Sequence, residues 1–123
     1  MTFCTTERRK VLANATVQAA LQSFAERGRE RGVEVGRYVI MPDHVHMFVA
    51  GGRDFDLASW VRLLKSALGK PGLWQRGFFD HLLRREESYA EKWEYVRQNP
   101  VRAGLVKRVE DWPYQGMLNV LRW

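Results

Sequence analysis

The 123 residues suffice for one domain with a real hydrophobic core and are too few for two. Twenty Lys plus Arg against fourteen Asp plus Glu leave a formal charge of +6, and most of the cations are arginines, whose guanidinium fork grips phosphate at two points. No apolar run approaches the roughly 20 residues that span a bilayer, the first residues lack the order of a secretory signal, and one cysteine, Cys4, excludes a disulfide framework and a Cys-rich zinc site. The expectation is therefore a basic, cytoplasmic, single-domain protein over residues 1–123 with no membrane partner, in which Cys4 is a small buried strand residue. Net positive charge and five tryptophans suit stacking on single-stranded nucleic acid, but they also fit many basic proteins that never touch it.

Residues 2 to 6 form a short β-prone run. Asn14 is placed to cap a helix in which Val17, Leu21, Phe24 and Gly28 share one face, and Gly32 ends it. A strand is predicted from Val33 to Met41, then a turn at Pro42-Asp43, where proline presets φ and aspartate bonds nearby backbone. A second strand, His44 to Val49, completes an antiparallel hairpin. Asp54 or Asp56 caps a further helix whose buried stripe is Leu57, Trp60, Val61, Leu64 and Leu68, with Gly69 as its stop. Leu73 to Leu83 reads as another strand, bent at Gly77. The order β-α-β-β-α-β predicts an α+β, ferredoxin-like sheet with two helices on one face and the other face free. An added C-terminal helix follows. Ser88 and Glu91 suggest a capping box, Tyr89, Trp93 and Val96 its packed face, and Asn99-Pro100 its end.

Two places could carry chemistry. Residues two apart in a strand point to one side, so His44 and His46 project together while Val45 and Met47 face the core. Two neutral imidazoles so close make a natural half-site for a divalent metal, with a third ligand from elsewhere; they also fit two histidines on an open sheet face. Tyr95 lies more than about 100° around its helix from the packed stripe, and Asn99 is one turn further on the same side. Together they offer a phenol nucleophile and a hard oxygen ligand, or else a surface tyrosine beside a terminal asparagine. A water-activating His-x-His hydrolase would need a carboxylate by the pair, and Asp43 points to the opposite side if the strand includes it.

The strings YVIMPDHVHMFVAGG and LWQRGFFDHLLRREESYAEKWEYVRQNPVRAGLV resemble the REP-associated tyrosine transposases, within the wider HUH single-tyrosine transposases of bacterial insertion sequences. The likeness runs from about Tyr38 to Val106 and joins His-x-His to Tyr-x-x-x-Asn-Pro-x-x-x-Gly-Leu-Val in the family's order and spacing. The resemblance implies a ferredoxin-like fold and a metal-dependent enzyme that nicks and rejoins single-stranded DNA. It implies Tyr95 as nucleophile, a 5′-phosphotyrosine intermediate, and a metal held by His44, His46 and Asn99. Mg²⁺ or Mn²⁺ is expected, because no thiolate is available and oxygen ligands with water would fill the shell.

The implied partner is single-stranded DNA bearing a hairpin, a REP-like palindrome, engaged by a monomer or a homodimer. Arg84, Arg97, Arg102 and the Arg8-Arg9-Lys10 cluster are the candidate phosphate contacts, and Asp80 with His81 are expected to support the site. Trp60, Trp74 and Trp93 fall on predicted buried faces and fit core packing better than base stacking. The competing expectation is a nucleic-acid-binding module that keeps the fold with an inert site.

Overall fold

The computed structural model describes residues Met1–Trp123. Four strands form one antiparallel sheet in the order β1-β3-β2-β4: Thr2–Cys4 (β1), Glu34–Ile40 (β2), His44–Ala50 (β3) and Gln115–Met117 (β4). The helices are Ala15–Arg29 (α1), Leu57–Leu68 (α2), Glu86–Val96 (α3) and the single turn Asn99–Arg102 (α4). This is the α+β, ferredoxin-like architecture expected from the sequence. No helix is long and apolar enough to cross a membrane.

Local chemistry explains the element ends. The Asn14 side chain accepts from the Val17 N–H at 2.8 Å, a cap that stabilises a helix by about 1 kcal/mol. Asp56, of the two candidate aspartates, does the same for α2 through Ser59. Gly32, at φ 82°, turns the chain from α1 into β2 in the left-handed region that glycine enters without a Cβ penalty. The β2–β3 hairpin closes with the Met41 N–H donating to the His44 carbonyl at 2.8 Å.

The period of two then sorts each strand between two cores. Phe3, Val35, Tyr38, Ile40, Val45 and Met47 pack beneath α1 and α2, against Leu21, Trp60, Val61 and Leu64. Val39, Met41 and Phe48 face the other way, where Val96 and Trp112 join them in a second cluster that also takes in Tyr89 and Trp93. The tryptophans behave as expected: Trp60 is buried, Trp74 packs edge-on against Phe3 and Trp93 leans on the second cluster. Cys4 is buried in its strand.

Four expectations need correction. The face opposite α1 and α2 is not free, because α3 and the C-terminal segment cover its Val39, Met41 and Phe48 region. Leu73 to Leu83 forms no continuous strand; it runs along the outer edge of β1 through two isolated bridges, Thr5 to Trp74 and Thr2 to Phe79. Gly77 at φ 77° breaks the ladder, and Lys65 of α2 donates instead to the Gln75 and Gly77 carbonyls. The fourth ladder strand comes from the C-terminal Gln115–Met117, paired with β2. Finally, α3 starts before the proposed capping box: Arg85 is the extended N-cap without a side-chain bond, and Ser88 lies inside the helix. Glu86 and Glu87 in the first turn supply the negative charge that a helix N-terminus favours.

The docking of α3 depends on a missing side chain. Between Val35 and Tyr38 the β2–β3 register shifts, and at Gly36 the Tyr89 phenol lies against the backbone, accepting from the Arg37 N–H at 3.0 Å. A Cβ at Gly36 would stand 2.6 Å from the Tyr89 oxygen and 2.8 Å from Leu121 Cδ1. Gly36→Ala is therefore expected to push α3 and the C-terminal segment away and lower stability by about 1 to 3 kcal/mol, measured by denaturant unfolding, with protection from amide exchange lost first in α3.

Candidate active site at the margin of the sheet

His44 and His46 lie on the β3 face turned toward α3, half-buried, with ring centroids 4.8 Å apart. Each ring is held through Nδ1. The His44 Nδ1 is 2.7 Å from Asp43 Oδ1, and the His46 Nδ1 is 2.8 Å from the Thr2 hydroxyl, brought alongside by the Thr2–His46 register of β1 and β3. The Asp43 carboxylate puts the His44 proton on Nδ1 and leaves its Nε2 with a free lone pair, and with the Thr2 hydroxyl accepting, His46 takes the same form, the arrangement of a metal-binding histidine supported by an outer partner. Arg8 Nη2 lies 3.3 Å from the same His44 Nδ1. With the Nδ1 proton committed to the closer Asp43, that approach is a contact between neighbours and not a second hydrogen bond.

Asp43 would face away from the pair only as a strand residue, and it is not one. Asp43 precedes the first residue of β3 and sits in the turn, so strand alternation does not govern it. Its Oδ1 meets His44 and its Oδ2 accepts from Arg8 Nε at 2.8 Å. Burial raises the Asp43 carboxyl, but the hydrogen bonds from Arg8 and His44 outweigh it and hold its pKa below the ordinary value.

His46 is held neutral. Burial, then the charges of His44, the N-terminus, Lys92 and Arg102, pull its pKa from 6.5 to about 3.

Tyr95 is on the outer side of α3, 64% exposed, next to buried Val96. α3 ends at Val96, and a tighter Gln98-to-Tyr95 bond links it to α4, where Pro100 occupies the first turn. Despite that break, Tyr95 and Asn99 remain neighbours through Arg102, whose guanidinium stacks 4.2 Å from the Tyr95 ring centroid and donates to Asn99 Oδ1. The site therefore consists of two preassembled halves, Asp43–His44–His46–Thr2 and Tyr95–Asn99–Arg102. No hydrogen bond joins Tyr95 or Asn99 to either imidazole.

The remaining candidates distribute unevenly. Arg8 joins the histidine half, with Arg9 and Lys10 exposed beside it. Arg84 is exposed ahead of α3, and Arg97 is paired with Glu94 at 2.8 Å. Asp80 and His81 line a cavity of about 470 Å³ with Met1, Phe48, Tyr89 and Trp123, and neither hydrogen-bonds to the histidine pair. Two contributors escaped the sequence reading. Thr2 carries no local signal, because its role depends on the β1–β3 register, whereas Asp43 was legible as the carboxylate preceding His44 in a Pro-Asp turn.

With this geometry in hand, the comparisons with known proteins are consistent. Residues 1–71 match the family model described as "Transposase IS200 like". The chain is 30% identical over 112 residues to the REP-associated tyrosine transposase of Escherichia coli (strain K12), covering 87% of this chain and 68% of that protein. It is 31% identical over 94 residues to a putative REP-associated tyrosine transposase of Haemophilus influenzae (strain ATCC 51907 / DSM 11121 / KW20 / Rd), covering 61% of this chain and 53% of the relative. A solved REP-associated tyrosine transposase bound to a REP hairpin superposes with a TM-score of 0.78 at 28% identity, over 93% of this chain and 72% of that one.

The chain belongs to the IS200-like transposases and, among them, to the REP-associated tyrosine transposases, enzymes that act on DNA. It spans about two thirds of the Escherichia coli relative and about half of the Haemophilus one.

The neutrality of His46 has a measurable consequence. Its folded-state pKa of about 3 lies below the unfolded 6.5, so between those values the unfolded chain binds a proton that the folded one refuses. Its contribution to stability is complete above 6.5 and diminishes as pH falls through that window. NMR titration is expected to leave the His46 ring signals unmoved from about pH 8 to about pH 5, in which range an unperturbed imidazole titrates.

Proposed function

We propose that this chain nicks and rejoins single-stranded DNA beside a hairpin, with Tyr95 as the nucleophile. The observation that carries the reading is the pair of Nε2 atoms on His44 and His46 without protein partners, the rings being anchored by Asp43 and Thr2 on the sheet face over which α3 packs. The solved relative is bound to a REP hairpin, and a hairpin with a single-stranded flank is the substrate we assign to this chain.

The Tyr95 oxygen attacks phosphorus as the bond from phosphorus to the upstream O3′ breaks. The phenol loses its proton, the departing oxygen takes one up, and the product is a 5′-phosphotyrosine with a free 3′-hydroxyl. One phosphodiester replaces another, so a second 3′-hydroxyl reverses the step with no nucleotide consumed. A phenol is a weak nucleophile until its proton is drawn off, so the attack needs that proton removed as the bond forms. The exposure of Tyr95 leaves its oxygen accessible to a strand lying across α3.

The donor set fits a divalent cation. Two imidazoles anchored through Nδ1, joined by the Asn99 amide oxygen and water, would hold Mg²⁺ or Mn²⁺ through Nε2. Bound there, the ion supplies Lewis-acid polarisation and orientation of the scissile phosphate. In this reading Asn99 takes the third protein position, since no three His, Cys, Asp or Glu side chains are grouped to hold a metal by themselves. That role requires the Asn99 oxygen to leave Arg102 and turn toward the histidines. Arg102, released, becomes a phosphate contact together with Arg84, Arg97, Arg9 and Lys10, while Asp80 and His81 line the neighbouring cavity and support the strand's path.

Incubation with a single-stranded hairpin oligonucleotide and Mn²⁺ is expected to yield a covalent protein–DNA species on a denaturing gel. Tyr95→Phe should abolish that species and keep hairpin affinity; a Tyr95→Phe protein that still forms it would falsify the assignment. His44→Ala and His46→Ala should each lose Mn²⁺ binding by calorimetry, and an inert nucleic-acid-binding module would show no such binding in the wild type. Asp43→Asn, with His44 left in place, is expected to weaken Mn²⁺ binding roughly 10- to 100-fold, read by the same titration.

A further inference from the structure

Beside the histidine pair the backbone takes a conformation that its residues disfavour. Glu7 and Arg8 follow one another at φ 56° and 53°, the left-handed region in which a Cβ crowds the chain. Neither is glycine, asparagine or aspartate, the usual occupants. The turn is held from below by buried Thr5, whose hydroxyl donates to the Arg9 carbonyl at 2.8 Å and whose N–H donates to the Asp43 carbonyl at 3.0 Å.

What the conformation achieves is the aim of one side chain. Arg8 Nε donates to Asp43 Oδ2 at 2.8 Å, and Nη2 stands 3.3 Å from the His44 ring. Folding stability does not account for it, since the Arg8 side chain is 53% exposed and exposed ion pairs contribute little. Of the guanidinium's five N–H donors, Asp43 takes the one on Nε, and Nη1 makes no hydrogen bond within the protein. A cationic fork is thus fixed beside the Nδ1 edge of His44 with donors to spare. Arg9 and Lys10, on the same turn, have no such anchor.

We propose that Arg8 binds a non-bridging oxygen of the scissile phosphate, with Asp43 as the strut that holds its guanidinium and the His44 imidazole in one frame. The proposal rests on the reading of Tyr95 as the nucleophile. As the Tyr95 oxygen bonds to phosphorus and the bond to O3′ breaks, negative charge gathers on the non-bridging oxygens, where a preoriented guanidinium stabilises it more than it does the ground state. The strained backbone at Glu7 and Arg8 is then the consequence of delivering that donor to that spot.

Arg8→Gly is the decisive variant, because glycine accepts the left-handed backbone while the guanidinium is lost. It is expected to melt within about 4 °C of wild type, to keep its hairpin affinity and Mn²⁺ binding, and to form the covalent species on the order of 10²- to 10³-fold more slowly in single turnover. Arg8→Lys, which keeps charge without the fork, should recover part of the rate. A methylphosphonate at the scissile position removes one charged oxygen; it should slow the wild type far more than Arg8→Gly, whereas one placed a nucleotide away should slow both alike. If Arg8→Gly cuts at the wild-type rate, or the scissile methylphosphonate slows both proteins by one factor, Arg8 is excluded and the Tyr95 reading stands. A large drop in melting temperature for both Arg8→Gly and Arg8→Gln would assign the side chain to the fold and equally overturn the proposal. A wild-type protein that forms no covalent species with hairpin DNA removes the Tyr95 reading and this proposal together.

Discussion

The alternation of side chains along β3 is the constraint on which the rest of the molecule depends. Val45 and Met47 are almost fully buried beneath α1 and α2, and that burial dictates that His44, His46 and Phe48 emerge on the other side. A slip of one residue would drive two imidazoles into an apolar core and expose the valine and methionine, so the register is strongly specified. β1 and β2 flank β3 and repeat the instruction: Phe3 and Ile40 lie opposite Val45, while Thr2 and Val39 lie opposite His46. The same hydrophobic burial that makes the sheet stable thereby positions the candidate metal-binding face.

Phe48 then connects the histidine strand to the helix that carries Tyr95. Its ring lies 4.6 Å from that of Tyr89 and 6.4 Å from that of Trp93, and Arg37 stacks on the outer side of Trp93 at 5.1 Å. These aromatic contacts fix the inward face of α3, and helical geometry turns Tyr95 outward as a result. The close approach of Tyr89 at Gly36 sets how near the helix can come. Position and exposure of the proposed nucleophile are thus by-products of packing against one phenylalanine.

Around this frame the polar groups fall into two local networks, each closed within itself. On the strand side, Arg8, Asp43 and His44 form a chain of charge-assisted contacts, and Thr2 holds His46. On the helix side, Arg102 occupies both Tyr95 and Asn99. The strand network is anchored to regular structure on β1 and β3. The helix network straddles the break between α3 and α4, where the backbone bonding tightens and Pro100 lacks an N–H. The first is tied to regular structure, and the second is built around a long, exposed arginine side chain.

Much of this was legible in the amino-acid order. The two helices on one face, the hairpin, the Asn14 cap, the His44/His46 pair and the Tyr89/Trp93/Val96 stripe all follow from periodicity and capping chemistry, because the interactions responsible reach only a few residues along the chain. The run from Leu73 to Leu83 misled in part: the bend at Gly77 was legible, but the strand-like pattern did not reveal that Lys65, from another element, would take the carbonyls. Asp43 depended on where the strand begins: β3 starts at His44, so alternation does not turn the carboxylate away. The covering of the second face, the pairing of Thr2 with His46 and the delivery of Arg8 to Asp43 belong to tertiary structure alone. Each joins residues more than thirty positions apart, and such contacts are set by how sheet and helices pack, which no short stretch of sequence encodes.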